Sequence, residues 1–201
     1  MEHILINIGR QVGSGGRLVA RALGEKLGIP VYDNELIAKA AEESGFSRDL
    51  FAKSDEKRNI FSISSFFTSG RYVIADNYVS DNDLFRIQSD VIRKLADEGS
   101  AIFIGRCSDY ILRDRDCTDV FITAPEEIRV ARVAQREGIP EDEAAKLVRT
   151  KDRTRETYYN YFTFGNWGVA SNYDLCLDSS ILGIEATADL IIAFLNAKKK
   201  S

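Results

Sequence analysis

Apolar and polar positions change period repeatedly along this chain, and each change marks an element. Ile4-Leu5-Ile6-Asn7-Ile8 is a short β-branched run suited to a buried strand. Leu18, Val19, Ala22, Leu23 and Leu27 then recur at helical spacing, and Gly28-Ile29-Pro30 closes that helix. Val31-Tyr32-Asp33 reads as a second strand. Asn34 is placed to cap a helix to about Ser44, with Leu36, Ile37, Ala40 and Ala41 inward. Leu84, Ile87, Val91, Ile92 and Leu95 share one face of a helix from Asp83 to Glu98, which Gly99 stops. Ala101-Ile102-Phe103-Ile104 and Asp119-Val120-Phe121-Ile122-Thr123 are further buried strands. Ala124-Pro125 opens a helix with Glu126 and Glu127 in its first turn, ending near Gly138-Ile139-Pro140. A long helical pattern runs from Glu141 to about Tyr161. Tyr173-Asp174-Leu175-Cys176-Leu177-Asp178 is a last strand, and Gly183 to Ala197 a closing amphipathic helix.

Strands and helices alternate from end to end. That order predicts one α/β domain over residues 1–201, three layers deep, with about five parallel strands and helices on both faces. Residues 45–83 break the pattern. They carry a charged stretch, then aromatic and serine-rich sequence, with no strict period. We expect a mobile insertion over the active edge, its aromatics forming a small local core or a partner surface.

Composition narrows the setting. Net charge is −4 over 201 residues, so no global basic field points to nucleic acid. The Lys198-Lys199-Lys200 tail is too short to change that. Cys107, Cys117 and Cys176 lack metal-ligand spacing, and their odd number argues against a disulfide framework. Buried thiols in a reducing cytoplasm are the simple expectation. The single histidine, His3, precedes the first strand, so histidine catalysis and zinc binding are not expected. No signal segment and no apolar run of about 18 residues is present, so neither export nor a membrane span is expected. Nothing in the pattern supports a homo-oligomer.

Candidate chemistry gathers where strands give way to turns. Gly9-Arg10-Gln11-Val12-Gly13-Ser14-Gly15-Gly16-Arg17 places four glycines between the first strand and the first helix. Such a turn offers backbone N–H groups to an anion at a helix N-terminus. The phosphate-loop pattern G-x-x-x-x-G-K-[ST] is matched only in part. Arg10 fills its first glycine position and Gly16 its lysine position, and no Ser or Thr follows to hold magnesium. Arg17, one residue late, can still fork a phosphate. Asp33 ends the second strand, on the edge where open parallel sheets bind ligands. Gly105-Arg106-Cys107-Ser108-Asp109 follows another buried strand in the same way; a structural ion pair is the alternative there. Arg149, Lys151, Asp152, Arg153 and Arg155 form a charged run, with Asp152 and Arg155 three apart on one helix face. It suits closure over a polyphosphate, or a merely solvated surface.

In this order the features resemble the nucleoside monophosphate kinases, and most closely the cytidylate-kinase-like branch. The segment Ile8 to Arg17 resembles that family's phosphate loop. Tyr32-Asp33 with Lys39 resembles its acceptor segment. Gly105-Arg106 with Asp109 resembles its glycine-arginine-aspartate element, here interrupted by Cys107 and Ser108. Asp152-Arg153-Thr154-Arg155 resembles its lid spacing, and Tyr173 to Asp178 its last strand. The resemblance implies a phosphate-loop kinase fold with a helical lid at 140–168. It implies transfer of the ATP γ-phosphate, with Mg²⁺, to a cytidylate-like nucleoside monophosphate. Gly13, Ser14, Gly15, Gly16, Arg17 and Arg149 would then hold the donor. Asp33, Lys39, Arg106, Asp109, Asp152 and Arg155 would hold the acceptor. Arg17, Arg106, Arg153 and Arg155 would stabilise charge during transfer. The metal ligands stay unassigned. Without the loop lysine, a catalytically weakened nucleotide sensor or protein-interaction module on the same fold is the competing reading.

Overall fold

A computed structural model describes residues 3–43 and 81–198. The stretch expected to be a mobile insertion therefore lies outside the described residues, except 81–83, which begin a helix. Chain order is β1 (Leu5–Arg10), α1 (Gly16–Leu27), β2 (Val31–Tyr32), α2 (Asn34–Glu43), α3 (Asp81–Glu98) and β3 (Ala101–Ile104). It continues with α4 (Ser108–Ile111), β4 (Cys117–Thr123), α5 (Glu126–Glu137), α6 (Glu141–Thr163), a 3-10 turn (Ala170–Asn172), β5 (Leu175–Asp178) and α7 (Ser179–Lys198).

All pairings among the described strands are parallel, in the order β2-β3-β1-β4-β5. Alternation along the strands divides the core. Ile6, Ile8, Ile102, Ile104, Val120 and Ile122 point to one face and pack with Val19 and Leu23 of α1 and Ala188, Ile191 and Leu195 of α7. Leu5, Ala101 and Phe103 point to the other and meet Ile37 of α2 and Ile87, Val91 and Ile92 of α3. Each fully buried isoleucine contributes about 1.5–3 kcal/mol of hydrophobic stabilisation. A third cluster, Val12, Val130, Val133, Ala144 and Val148, joins α5 and α6 to the turn after β1. The parallel three-layer sheet expected from the sequence is therefore present.

Local expectations needed correction at several places, among them Leu36 of α2, expected inward but 47% exposed. Asp33, not Asn34, caps α2: its Oδ1 accepts the N–H groups of Glu35 (3.1 Å) and Leu36 (3.2 Å). β4 begins two residues early, at Cys117, and β5 two residues late, at Leu175, because the ladder follows its neighbours and not the apolar run. Of the three free thiols only Cys107 is buried; Cys117 is half-buried and Cys176 exposed. Finally, α7 is long and apolar enough to cross a membrane by length and composition, with mean hydropathy 1.5. It is broken at Gly183, and its Ala188, Ile191 and Leu195 belong to the core.

Candidate active site

The turn after β1 is built to leave an anion-binding helix end. Gly13 and Gly15 both have φ +78°, a left-handed backbone that side chains resist. A Cβ on Gly13 would also lie 2.5 Å from the carbonyl oxygen of Arg129. The turn is tethered on several sides. Val12 N–H donates to Asp152 Oδ1 (2.7 Å), and Ser14 Oγ to the Gln11 carbonyl (2.9 Å). Ser179 Oγ donates to the Ser14 carbonyl, and Arg132 Nη1 donates to Ser179 Oγ (3.1 Å). The predicted binder Ser14 is thus fully buried, its hydroxyl spent within the turn. α1 has no side-chain cap and no acidic residue in its first turn. Its first N–H groups and the positive end of its dipole are left for an anion.

Four guanidinium groups converge on this end of the sheet. Arg10 is the last residue of β1, Arg17 lies in the first turn of α1, Arg106 follows β3, and Arg155 comes from α6. Burial pushes Arg10 well below the usual arginine range, and Arg155, Arg106 and Arg17 push it further; Asp33 opposes them weakly. Burial likewise pushes Arg155 down to about 10, with Asp152 opposing and Arg17 and Arg106 adding repulsion. Guanidinium stays protonated in proteins. These shifts therefore report first the cost of burying the two groups and then the repulsion between like charges, and a bound polyanion would relieve both.

Each arginine is aimed by its surroundings. Arg17 pairs with Asp33 at 3.3 Å, while Arg155 Nη1 donates to the Arg10 carbonyl at 2.9 Å. Arg106 sits in a left-handed turn, Gly105-Arg106-Cys107, with φ of 67°, 61° and 57°. Such backbone in non-glycine residues concentrates at functional sites. Its Nε donates to Asn34 Oδ1 (2.8 Å), and its guanidinium lies 5.6 Å from the Tyr158 ring centroid. Buried Gln88 on α3 holds the Arg106 carbonyl at 2.9 Å.

Other residues singled out in the sequence lie further from the cluster or serve it indirectly. Asp152 forms a largely buried pair with Arg129 (2.6 Å) while accepting the Val12 N–H, so it braces α6 against the turn. Arg129 also donates to the carbonyls of Val12 (3.2 Å) and Ala124 (3.0 Å). Arg149 is exposed and paired with Glu126 at 2.7 Å. Arg153 and Lys39 lie on exposed helix faces. Asp109 accepts a hydrogen bond from Tyr159 Oη (2.7 Å), and burial raises its carboxyl above the usual range. Sequence reasoning missed Arg10, Asn34, Gln88, Arg129 and Tyr158. For Arg10 the signal was in view: an arginine occupying the first glycine position of the loop pattern.

A parallel sheet of this strand order, with a glycine turn feeding an uncapped helix and cations converging on it, defines a P-loop kinase fold. The chain belongs to the cytidylate kinase-like family, whose profile matches residues 5–181. It is 28% identical to the cytidylate kinase of Methanopyrus kandleri, over 96% of this chain and 93% of that one. It is 24% identical to the cytidylate kinase of Pyrobaculum calidifontis, over 97% and 96%. Among solved structures, an uncharacterized protein from Eubacterium ventriosum is similar with a TM-score of 0.74 at 28% identity, covering 96% of this chain and 98% of that one. Shikimate kinase from Bacteroides thetaiotaomicron shares the fold, with a TM-score of 0.56 at 11% identity and coverage of 97% and 99%. The chain is a kinase-like phosphotransferase.

Proposed function

We propose that this chain moves the γ-phosphate of ATP to a (deoxy)cytidylate-like nucleoside monophosphate. The observation that carries the reading is the convergence of Arg10, Arg17, Arg106 and Arg155 beside the uncapped start of α1. The cytidylate kinases among its relatives support the choice of acceptor. In this reading the amides of Gly13 to Gly16, with Arg17, hold the donor phosphates. Arg149 and Arg153 close over them as the outer cations of a lid at 140–168. Arg106, Asp33 and Lys39 hold the acceptor, with Asp109 and Asp152 positioning the helices that carry the cations. An acceptor phosphate oxygen attacks the γ-phosphorus as the bond to the β,γ-bridging oxygen breaks, and ADP leaves with that oxygen. The four guanidinium groups take up the charge, and no strong general base is required.

Magnesium neutralises charge on ATP in reactions of this class. The side chains here fit the polyphosphate better than the metal. Arg17 stands where a loop hydroxyl would, Asp33 is paired with Arg17, and the described residues hold no cluster of three ligating side chains. The ion would arrive on ATP, held mainly by phosphate oxygens. Free thiols and nucleotide substrates suit a cytoplasmic setting.

The test is turnover. Purified protein with ATP, Mg²⁺ and a panel of nucleoside monophosphates should release ADP only when an acceptor is present, fastest with CMP or dCMP. Saturable ATP binding without acceptor-dependent ADP would instead favour the sensor reading, which the missing loop lysine and hydroxyl keep in play.

A further inference from the structure

Arg10 occupies space that two glycines clear for it. A Cβ on Gly16 would lie 2.6 Å from Arg10 Cβ and 3.1 Å from its Cγ. A Cβ on Gly105 would lie 1.6 Å from Arg10 Nη1 and 2.7 Å from its Cζ. The side chain therefore leaves β1, passes Gly16 at the head of α1 and ends against Gly105, next to Arg106. A lysine at position 16, where the loop pattern calls for one, would collide with the stem of Arg10.

We propose that Arg10 is a phosphate-binding residue of the transfer site. It replaces the missing loop lysine and holds the transferring phosphoryl group between the glycine turn and Arg106. The inference rests on the phosphotransferase reading for which phosphate is held, and on geometry and local charge for the holding.

A partly buried arginine with a purely structural role would spend its N–H donors on carbonyls or carboxylates. Arg129 does so, with two carbonyls and Asp152. Among the described residues the Arg10 guanidinium makes no hydrogen bond or ion pair; only its main-chain carbonyl is engaged, by Arg155. Among the described residues its charged company is three other arginines, opposed weakly by Asp33. A planar fork whose donors are unclaimed among the described residues, set among like charges, suits a tetrahedral polyanion. The Arg10 fork would also explain why both Gly16 and Gly105 lack side chains: each would push the guanidinium off its line.

Two measurements test this. The first needs no turnover: the melting shift produced by tripolyphosphate in wild type, Arg10→Met, Arg10→Gly and Arg10→Gly/Gly16→Lys. Wild type should be stabilised by several degrees. Arg10→Met, which keeps the stem without the charge, should melt higher than wild type when ligand-free and lose most of the tripolyphosphate shift. The second is steady-state kinetics with ATP and the best acceptor. Arg10→Met should lower kcat by about 100-fold or more, as loss of one transition-state donor does, with the acceptor KM moving about threefold or less. Adding Gly16→Lys to Arg10→Gly should recover about tenfold or more of the lost kcat. A folded Arg10→Met protein with the wild-type tripolyphosphate shift and kcat within about threefold of wild type overturns the assignment. Should Arg10→Met not fold, a folded double variant no better than Arg10→Gly overturns it instead. Wild type that releases no ADP with any acceptor ends the kinase reading. Arg10 then stands or falls on the tripolyphosphate shift.

Discussion

Arg17 and Arg106 carry similar charges in different settings, and their substitutions should separate. Arg17 lies in the turn that would hold ATP and is half exposed, paired with Asp33. Arg106 is fixed by Asn34, Tyr158 and Gln88 at the end of β3. We expect Arg17→Ala to raise the ATP KM about tenfold, the loss of one charge-assisted contact. Arg106→Ala should raise the acceptor KM more than the ATP KM. Equal effects on both substrates would dissolve that division. A second prediction concerns Asp119, which accepts a hydrogen bond from Asn7 Nδ2 at 2.8 Å, while Asn7 Oδ1 is buried without a partner among the described residues. Burial pushes the Asp119 carboxyl up to about 6; Asn7 opposes this, Asp109 and Asp174 add repulsion, and Lys198 opposes weakly. An unfolded aspartate titrates near about 4. Between those values the native protein keeps a proton that the unfolded chain has released, so stability falls as pH rises through the window. Asp119→Asn removes this loss and keeps a carbonyl oxygen to accept the Asn7 N–H. The variant should be more stable by about 1 kcal/mol at pH 8, allowing for solvent screening, and the gap should close towards pH 4. Melting temperatures across that range measure it; a gap independent of pH would count against the titration account.

At the scale of elements, α6 is held to the glycine turn by polar stitches as well as by the apolar cluster around Val12. Asp152 ties Val12 N–H and Arg129, and Arg155 ties the Arg10 carbonyl. Removing one member of a buried ion pair leaves the other uncompensated, at a cost of about 3–5 kcal/mol. Arg129→Met should therefore destabilise strongly, while Arg129→Met with Asp152→Leu should recover part of the loss. Denaturant unfolding of the singles and the double closes that cycle. A double variant as weak as the sum of the singles would assign the cost to packing. This element also shows what the sequence made legible. The three-residue spacing of Asp152 and Arg155 correctly puts both on one face of α6. Spacing says nothing of destination, so it could not tell that Asp152 would meet Arg129 while Arg149 turned outward to Glu126. The cap of α2 was misplaced by one residue for a related reason. Asp33 and Asn34 are both good caps by type, and only the backbone decides which carbonyl starts the ladder. Arg106's left-handed turn left no trace in the residue pattern, because nothing but a coordinate reveals positive φ in an arginine.

For the whole molecule, a parallel sheet with helices on both faces was readable because alternating periods permit few topologies, whereas the order β2-β3-β1-β4-β5 came only from the structure. The convergence of four arginines was only half readable, since they come from positions 10, 17, 106 and 155 and meet through the closing of the sheet. Hydropathy along α7 is the case where sequence statistics and structure part. Length and composition admit a membrane crossing, yet the helix seals one face of the sheet beside α1. The two roles make opposite demands on its faces. A core helix is sensitive on one side only, whereas a membrane span would tolerate small apolar changes on every side. Ile191 is fully buried against the sheet, and Ile181, in the turn before the Gly183 break, is 77% exposed. Ile191→Ala should cost about 2–4 kcal/mol by emptying part of the core. Ile181→Ala should stay within about 0.5 kcal/mol of wild type. Chemical denaturation of both variants in aqueous buffer decides between the roles. Equal and small effects would detach α7 from the core and reopen the membrane reading.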